Sequence, residues 1–195
     1  SFNRRRFLKG AVASGAAISF PTLIQASALG AEGNTAPSER IVMGCIGVGS
    51  QGTGNMRGFL GHNTCQVVAV CDVDTRHSDR AKNMVDDHYK NTDCQTYLDF
   101  RELIGRGDLD AVSLALPDHW HAIPSIAAAN AGLDIYGEKP LSHTLAEGRA
   151  MCDAVTRNGR IWQTGSWQRS VENFHHAAEL VRNGRIGAVR YIEVG

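Results

Sequence analysis

The chain has 195 residues, of which 43% are hydrophobic, and its 20 Lys and Arg are matched by 20 Asp and Glu. This size and apolar content predict one ordinary domain with a buried core. Lys and Arg do not cluster after the first ten residues, which argues against a nucleic-acid or membrane-surface partner.

The five cysteines form no C-x-x-C pair and are odd in number. They therefore indicate neither a zinc site nor a disulfide framework, and Cys45 and Cys71 are expected to be small core residues. His175 and His176 are adjacent in a predicted helix, where they could not chelate one metal from one helix face. No metal is expected.

The first thirty residues resemble a twin-arginine signal peptide. Residues 4–9 are basic, residues 10–20 form a mild apolar run, and residues 26–28 give a small-x-small cleavage site. A basic arm or a membrane anchor is the alternative, but the apolar run is too short and too rich in Ala, Gly and Ser to span about 30 Å of hydrocarbon. We expect export to the periplasm or beyond, with no membrane attachment after cleavage, and a linker over residues 31–40.

A glycine-rich turn follows the first predicted strand, residues 41–46, and leads into a helix over residues 52–60. Gly47, Gly49 and Gly52 form the pattern G-x-G-x-x-G. In a dinucleotide site the first glycine allows the tight turn, the second lets the pyrophosphate approach, and the third allows close helix packing. The helix N-terminus supplies N–H groups for the phosphates. The predicted cofactor loop also includes Val48, Ser50 and Gln51.

An acidic residue closes the second strand, which is predicted over residues 66–71. Asp72 lies twenty residues beyond Gly52, the spacing at which a carboxylate accepts hydrogen bonds from the adenosine ribose. Its negative charge would repel a 2′-phosphate. We therefore expect NAD as the cofactor in preference to NADP.

Apolar runs and helical stretches alternate through the rest of the chain. Further strands are predicted over residues 95–97, 111–116, 133–136 and 160–164, and helices over residues 75–89, 100–106, 123–131, 144–158 and 171–183. This alternation predicts an α/β fold with a Rossmann-type, doubly wound parallel sheet over residues 41–165.

The last residues have a different pattern. Residues 188–194 alternate apolar and polar side chains, which predicts a half-buried strand of an antiparallel sheet. We expect residues 166–195 to form the junction with, and the first strand of, a second α+β domain with an open antiparallel sheet that continues beyond Gly195.

Polar and aromatic side chains follow several predicted parallel strands, and such loops share one edge of the sheet, where ligands bind. The candidates for contact with substrate or cofactor are Pro117, His119, Trp120, His121, Glu138, Lys139, Gln168 and Arg169. Each has an ordinary structural explanation as well: either histidine could cap a helix, Lys139 could be an exposed loop charge, and Arg169 could be a helix-start charge.

The glycine loop, the segment over residues 116–121 and the Glu138-Lys139-Pro140 triplet together resemble the glucose-fructose oxidoreductase, inositol dehydrogenase and MocA family. The resemblance covers residues 40–195. It implies pyridine-nucleotide chemistry on sugars or polyols, Lys139 directed at the substrate hydroxyl, Glu138 in contact with the cofactor, and a bond before Pro140 that can be cis.

The same resemblance implies that Pro117 and His121 lie near the nicotinamide, and that Gln168 and Arg169 orient cofactor or sugar. It also implies that the second domain binds substrate and forms homo-oligomers. Hydride removal from a carbinol needs a base and a cation near the oxygen, so we predict that Lys139 is catalytic and held out of water.

Two alternatives to an exported sugar or polyol oxidoreductase remain. Some family members are NAD-dependent, redox-neutral glycoside hydrolases, although retention of Glu138-Lys139-Pro140 favours the oxidoreductase. A non-catalytic nucleotide-binding module would require Lys139 to be dispensable.

Overall fold

The structure, a computed structural model, describes residues 35–194 and contains one six-stranded parallel sheet in this range. The strands are β1 (Ile41–Ile46), β2 (Cys65–Cys71), β3 (Gln95–Tyr97), β4 (Ala111–Leu114), β5 (Asp134–Gly137) and β6 (Trp162–Thr164). The helices are α1 (Ser50–Leu60), α2 (Thr75–Tyr89), α3 (Phe100–Ile104), α4 (Ala122–Asn130), α5 (Leu145–Arg157) and α6 (Glu172–Arg182). The predicted signal peptide, residues 1–30, lies outside the described residues.

The strand order is β3-β2-β1-β4-β5-β6, and every neighbouring pair is parallel. The chain builds outward from β1 to β3 and then returns to add β4 on the other side of β1. This order is that of a doubly wound Rossmann sheet, whose switch point between β1 and β4 opens a crevice at the carboxyl edge. The predicted fold class is confirmed.

Both faces of the sheet are buried at its central strands β1, β2 and β4, as their near-continuous apolar sequences require. Successive strand side chains point to opposite faces, so Ala69 and Cys71 pack in the cluster with α3, α4 and α5, while Val70 packs in the cluster with α1 and α2. Met56 and Leu103 are fully buried in these two clusters. The two layers fix the strand ends, and with them the loops of the crevice.

Helix starts follow local side-chain chemistry. Asp74 and Asp99 cap α2 and α3 by accepting hydrogen bonds from backbone N–H groups two residues on, each at 2.9 Å. Thr144 and Glu147 form a reciprocal capping box at α5. Helix α1 begins after Gly49 with no side-chain cap. Its first N–H groups are therefore not satisfied by a cap of the chain's own.

The last described residues differ from the prediction. Residues 188–194 contain no strand, and all of them are exposed. A lone strand can neither pair its backbone groups nor bury its apolar face, and the described residues offer it no partner strand. The assignment of this segment to a second domain stays a prediction. No helix in the described part of the chain is long and apolar enough to cross a membrane.

Candidate active site

The glycine loop between β1 and α1 leaves one backbone position open. Gly47 has a φ of 79°, and a Cβ there or at Gly52 would overlap a backbone carbonyl oxygen, that of Ala115 and Gly47 respectively. A Cβ at Gly49 would approach nothing closer than the His77 ring at 3.8 Å. The first and third glycines are therefore needed for packing, whereas the second keeps a surface free for a ligand.

The carboxylate of Asp72 is fixed beside this loop. Its Oδ2 accepts a hydrogen bond from the Val48 N–H at 2.9 Å, and its Oδ1 accepts one from the Asp74 N–H at 3.0 Å. The Asp72 side chain is only 11% exposed. Each oxygen retains a lone pair, so an oriented carboxylate is available to ribose hydroxyls.

A cavity of about 630 Å³ opens beside Gly49 and Asp72. Phe100 and Trp120 add aromatic walls with ring centroids 6.4 Å apart, and the Arg101 guanidinium lies 4.5 Å from the centroid of the Phe100 ring. Apolar and aromatic walls suit a planar base. The predicted site residues that line this cavity are Gly47, Gly49, Asp72, Pro117, His119 and Trp120.

These features fit the adenosine half of NAD. The open face of Gly49 and the uncapped N-terminus of α1 suit the pyrophosphate, the Asp72 carboxylate suits the ribose, and the cavity suits the base. The fit rests on backbone geometry and on the hydrogen bonds that orient Asp72.

The loop after β5 is tied to helix α1. The carboxylate of Glu138, whose residue is 4% exposed, accepts hydrogen bonds from Gln51 Nε2 at 3.1 Å and Asn55 Nδ2 at 3.0 Å. The backbone N–H of Lys139 is 3.3 Å from the other carboxylate oxygen of Glu138. The Lys139–Pro140 peptide bond is cis, as the resemblance allowed. Glu138 thus joins the predicted lysine loop to the helix that starts at the glycine loop.

The expectation that the Lys139 ammonium group is held out of water is not met within residues 35–194, and for the complete site it stays a prediction. Lys139 is exposed. The loop follows β5 at the carboxyl edge of the sheet, where the Glu138 side chain is buried and Lys139 is not. Its catalytic role stays a prediction.

His121 is buried, at 1% exposure, and its Nε2 lies 2.7 Å from the carbonyl oxygen of Leu116. Ser125 Oγ donates to the His121 carbonyl oxygen. These contacts give His121 a structural role at the start of α4, and its predicted contact with the nicotinamide stays a prediction. Gln168 and Arg169 lie in an exposed 3-10 turn after β6 and do not line the cavity.

Three contributors were missed in the sequence. Asn55 lies one helical turn beyond Gln51, so helical spacing could have placed both side chains on one face. Phe100 follows β3, the weakest predicted strand. His77 belongs to no sequence motif. It lines the cavity, and its Nδ1 is 3.4 Å from Asp72 Oδ2.

Cys71 lines this cavity, and Cys45 lies in the core. Burial, and to a smaller extent the charge of Asp72, raises the pKa of Cys71 to about 12. Burial, with a smaller contribution from Cys94, raises the pKa of Cys45 to about 12 as well. Both remain neutral thiols at physiological pH, as expected of core residues. Residues 35–194 contain no cluster of three or more His, Cys, Asp or Glu that could hold a metal.

The sequence matches a known family over residues 41–166, described as "Oxidoreductase family, NAD-binding Rossmann fold" (GFO_IDH_MocA). Inositol 2-dehydrogenase from Salmonella paratyphi B is 30% identical over 148 residues, which are 74% of this chain and 42% of that protein. Glycosyl hydrolase family 109 protein 2 from Shewanella sp. strain ANA-3 is 28% identical over 162 residues, which are 75% of this chain and 35% of that protein.

Solved structures agree with the fold. Myo-inositol 2-dehydrogenase from Lactobacillus plantarum superposes with a TM-score of 0.66 at 27% identity, over 77% of this chain and 43% of that one. Scyllo-inositol dehydrogenase from Lactobacillus casei, solved with NAD(H) and scyllo-inositol, gives a TM-score of 0.64 at 23% identity, over 76% of this chain and 42% of that one. The chain therefore spans less than half the length of these relatives.

Proposed function

Because the chain belongs to the Gfo/Idh/MocA family of NAD-binding oxidoreductases, we propose that it is the cofactor-binding part of a sugar or polyol dehydrogenase. Bound NAD would supply the hydride acceptor. The Salmonella and Lactobacillus plantarum relatives are named for inositol oxidation, which supports a polyol as the substrate class. The substrate itself would be selected by the full-length protein.

The observation that carries this proposal is the fixed position of Asp72 beside Gly49. Val48 N–H holds the carboxylate at 2.9 Å, so its orientation is set before a ligand arrives, which lowers the entropy cost of binding. The same backbone segment leaves Gly49 open for the pyrophosphate. Ribose and pyrophosphate would therefore be recognised by one rigid unit.

Lys139 would provide the acid–base group. Its loop is fixed through Glu138 to Gln51 and Asn55 on α1, so the lysine would be positioned relative to the bound nucleotide. At the substrate oxygen, Lys139 would accept the hydroxyl proton and stabilise negative charge as the carbonyl forms. Its exposed side chain requires a cover from substrate or from protein outside residues 35–194.

A redox-neutral glycoside hydrolase is the second candidate, because the Shewanella family 109 protein is a relative at 28% identity. Such an enzyme would use the same nucleotide site and return the hydride to its product. Asp72 and Gly49 would have the same roles in both, so the nucleotide site does not separate the two activities.

The full-length protein can be purified, any copurified nucleotide identified by mass, and the reduced-nicotinamide absorbance followed with inositols, sugars and glycosides. Net accumulation of NADH with a free polyol or sugar supports the dehydrogenase. Release of sugar from a glycoside without net NADH supports the hydrolase. Turnover of neither class, with NAD bound, would indicate a nucleotide-binding module.

Export by the twin-arginine route and homo-oligomerisation through a second domain complete the proposal. Residues 4–9 and 26–28 support export, and the route would carry a folded protein with its nucleotide already bound. Helix α6 supports a further domain, because none of its residues is buried among those that the structure describes.

A further inference from the structure

His77 lies between the two groups that would read the adenosine ribose and its pyrophosphate. Its Nδ1 is 3.4 Å from Asp72 Oδ2, and its Cε1 is 3.8 Å from the position of a Cβ on Gly49. The side chain is 38% exposed and lines the cavity. The imidazole is therefore adjacent to the place where a ribose 2′-substituent would meet Asp72.

Asp72 favours a 2′-hydroxyl and repels a 2′-phosphate. A neutral imidazole would leave this repulsion unchanged, whereas an imidazolium would offset the Asp72 charge and offer an N–H donor to the phosphate. Histidine side chains change charge between about pH 5 and 8. The two protonation states of this side chain would therefore present different charges at the ribose 2′ position.

Other charges around His77 are mostly paired. Asp74 lies 4.0 Å from His77 Nε2 but is held by Arg76 at 2.7 Å, and the hydrogen bonds from Arg76 lower its pKa to about 2. Across the cavity, Asp99 pairs with Arg101 at 3.1 Å. The remaining charged or titratable neighbours are Arg80, which donates to the Val48 carbonyl oxygen on the same helix side, and His119 on the cavity wall.

We infer that His77 is a cofactor-specificity residue that makes the discrimination between NAD and NADP depend on pH. Imidazolium at position 77 reduces the penalty that Asp72 imposes on the 2′-phosphate, and neutral imidazole restores it. The inference rests on the proposed nucleotide site, since it requires the adenosine ribose to bind at Asp72. It concerns the choice of nucleotide and is independent of the substrate.

The test is calorimetric titration of the full-length protein with NAD⁺ and with NADP⁺ at about pH 5.5 and about pH 8.5, on either side of the histidine range. The ratio of the two Kd values, NADP⁺ over NAD⁺, should fall roughly tenfold toward acid pH in the wild type, the order expected for one charge-assisted interaction. The 2′-phosphate itself titrates near pH 6, so a neutral variant is the required baseline.

His77→Gln supplies that baseline, because its side chain is uncharged at both pH values. The Kd ratio of NADP⁺ to NAD⁺ in this variant should change clearly less between the two pH values than that of the wild type. His77→Arg places a permanent cation there, and its ratio at the higher pH should lie below that of His77→Gln. His88→Gln, on the last turn of the same helix and outside the cavity, should behave as the wild type does.

An equal response to pH in the wild type and His77→Gln would overturn the inference while leaving the nucleotide site intact. An unchanged ratio in His77→Arg would also overturn it, because a fixed charge tests the position without any titration. Failure of the wild type to bind either nucleotide would overturn the proposed function together with the inference.

Discussion

The carboxylate of Glu138 accepts a hydrogen bond from Asn55 Nδ2 at 3.0 Å, across 83 residues of sequence. Gln51, one helical turn earlier, donates to the same oxygen at 3.1 Å. This cluster, in which the Glu138 side chain is buried, joins the loop of the predicted catalytic lysine to the helix that begins at the glycine loop. Hydrogen bonds within the described residues therefore link the lysine loop to the nucleotide loop.

Replacing Glu138 by Gln should lower the free energy of unfolding by about 1–3 kcal/mol, because one Glu138 oxygen accepts from Gln51 and Asn55 and the other faces the Lys139 N–H. The buried amide nitrogen of a glutamine would therefore face a donor in either orientation. Denaturant unfolding measures this change. Glu102→Gln, at an exposed carboxylate on α3, should stay within about 0.5 kcal/mol of the wild type. The double variant with Asn55→Ala should be non-additive, since the two side chains are in contact. Additive effects would mean that the cluster contributes nothing as a unit.

Replacing Asp72 by Ala should weaken NAD binding by about tenfold to a hundredfold, because it removes the ribose acceptor and leaves the Val48 and Asp74 N–H groups without their partner. The Kd ratio of NADP⁺ to NAD⁺ should fall at the same time. Calorimetry measures both constants, and Asp79→Ala, at an exposed position of α2, is the matched control. An unchanged ratio would show that a different residue reads the ribose.

Replacing Lys139 by Ala should reduce kcat by at least about a hundredfold, the usual contribution of a positioned acid–base group. NAD affinity should change little, since Lys139 is exposed and does not line the cavity. Lys139→Arg keeps the charge but cannot release a proton at neutral pH, so it should not restore turnover. Steady-state kinetics and NAD titration measure the two effects, and retained turnover in Lys139→Ala would remove this residue from the mechanism.

The fold could be predicted from the sequence because buried parallel strands are continuous apolar runs, as in β1, which has the predicted bounds. The predicted strand ends were less accurate where backbone N–H groups bond to acceptors outside the sheet. Arg160 N–H bonds to the end of α5 and Ile161 N–H bonds to Asp134 Oδ1, so β6 begins at Trp162 instead.

The nucleotide site could be predicted because its residues follow a fixed motif along the chain. The directions of individual side chains could not be predicted from this motif. The motif that contains His121 does not indicate that its ring turns inward to the Leu116 carbonyl, and no local pattern brings His77 to Asp72. Both facts depend on how α4 and α2 pack against the sheet.

Replacing Arg4 and Arg5 by Lys should abolish export of the full-length protein. The substitution keeps both charges, so a loss of export would reflect recognition of the arginine pair by the export machinery, which reads such signals as addresses. Cell fractionation of a bacterial host measures the effect, and Lys9→Arg outside the pair should leave export intact. Continued export of the double-lysine variant would count against a twin-arginine signal.

Two glycines of α1 provide the sharpest test of the loop geometry, because they are two residues apart and differ only in surroundings. A Cβ at Gly52 would overlap the Gly47 carbonyl oxygen, whereas a Cβ at Gly54 would meet nothing within 4 Å. Gly54→Ala should stabilise the protein by about 0.5–1 kcal/mol, since alanine loses less backbone entropy in a helix.

Gly52→Ala should instead destabilise the protein and weaken NAD binding, because relief of the overlap must move either the turn at Gly47 or the start of α1. Thermal unfolding with and without NAD separates the two effects: the stabilisation by ligand should be retained in Gly54→Ala and reduced in Gly52→Ala. Equal behaviour of the two variants would mean that the close packing of α1 on the Gly47 turn is not what holds the loop open for the pyrophosphate.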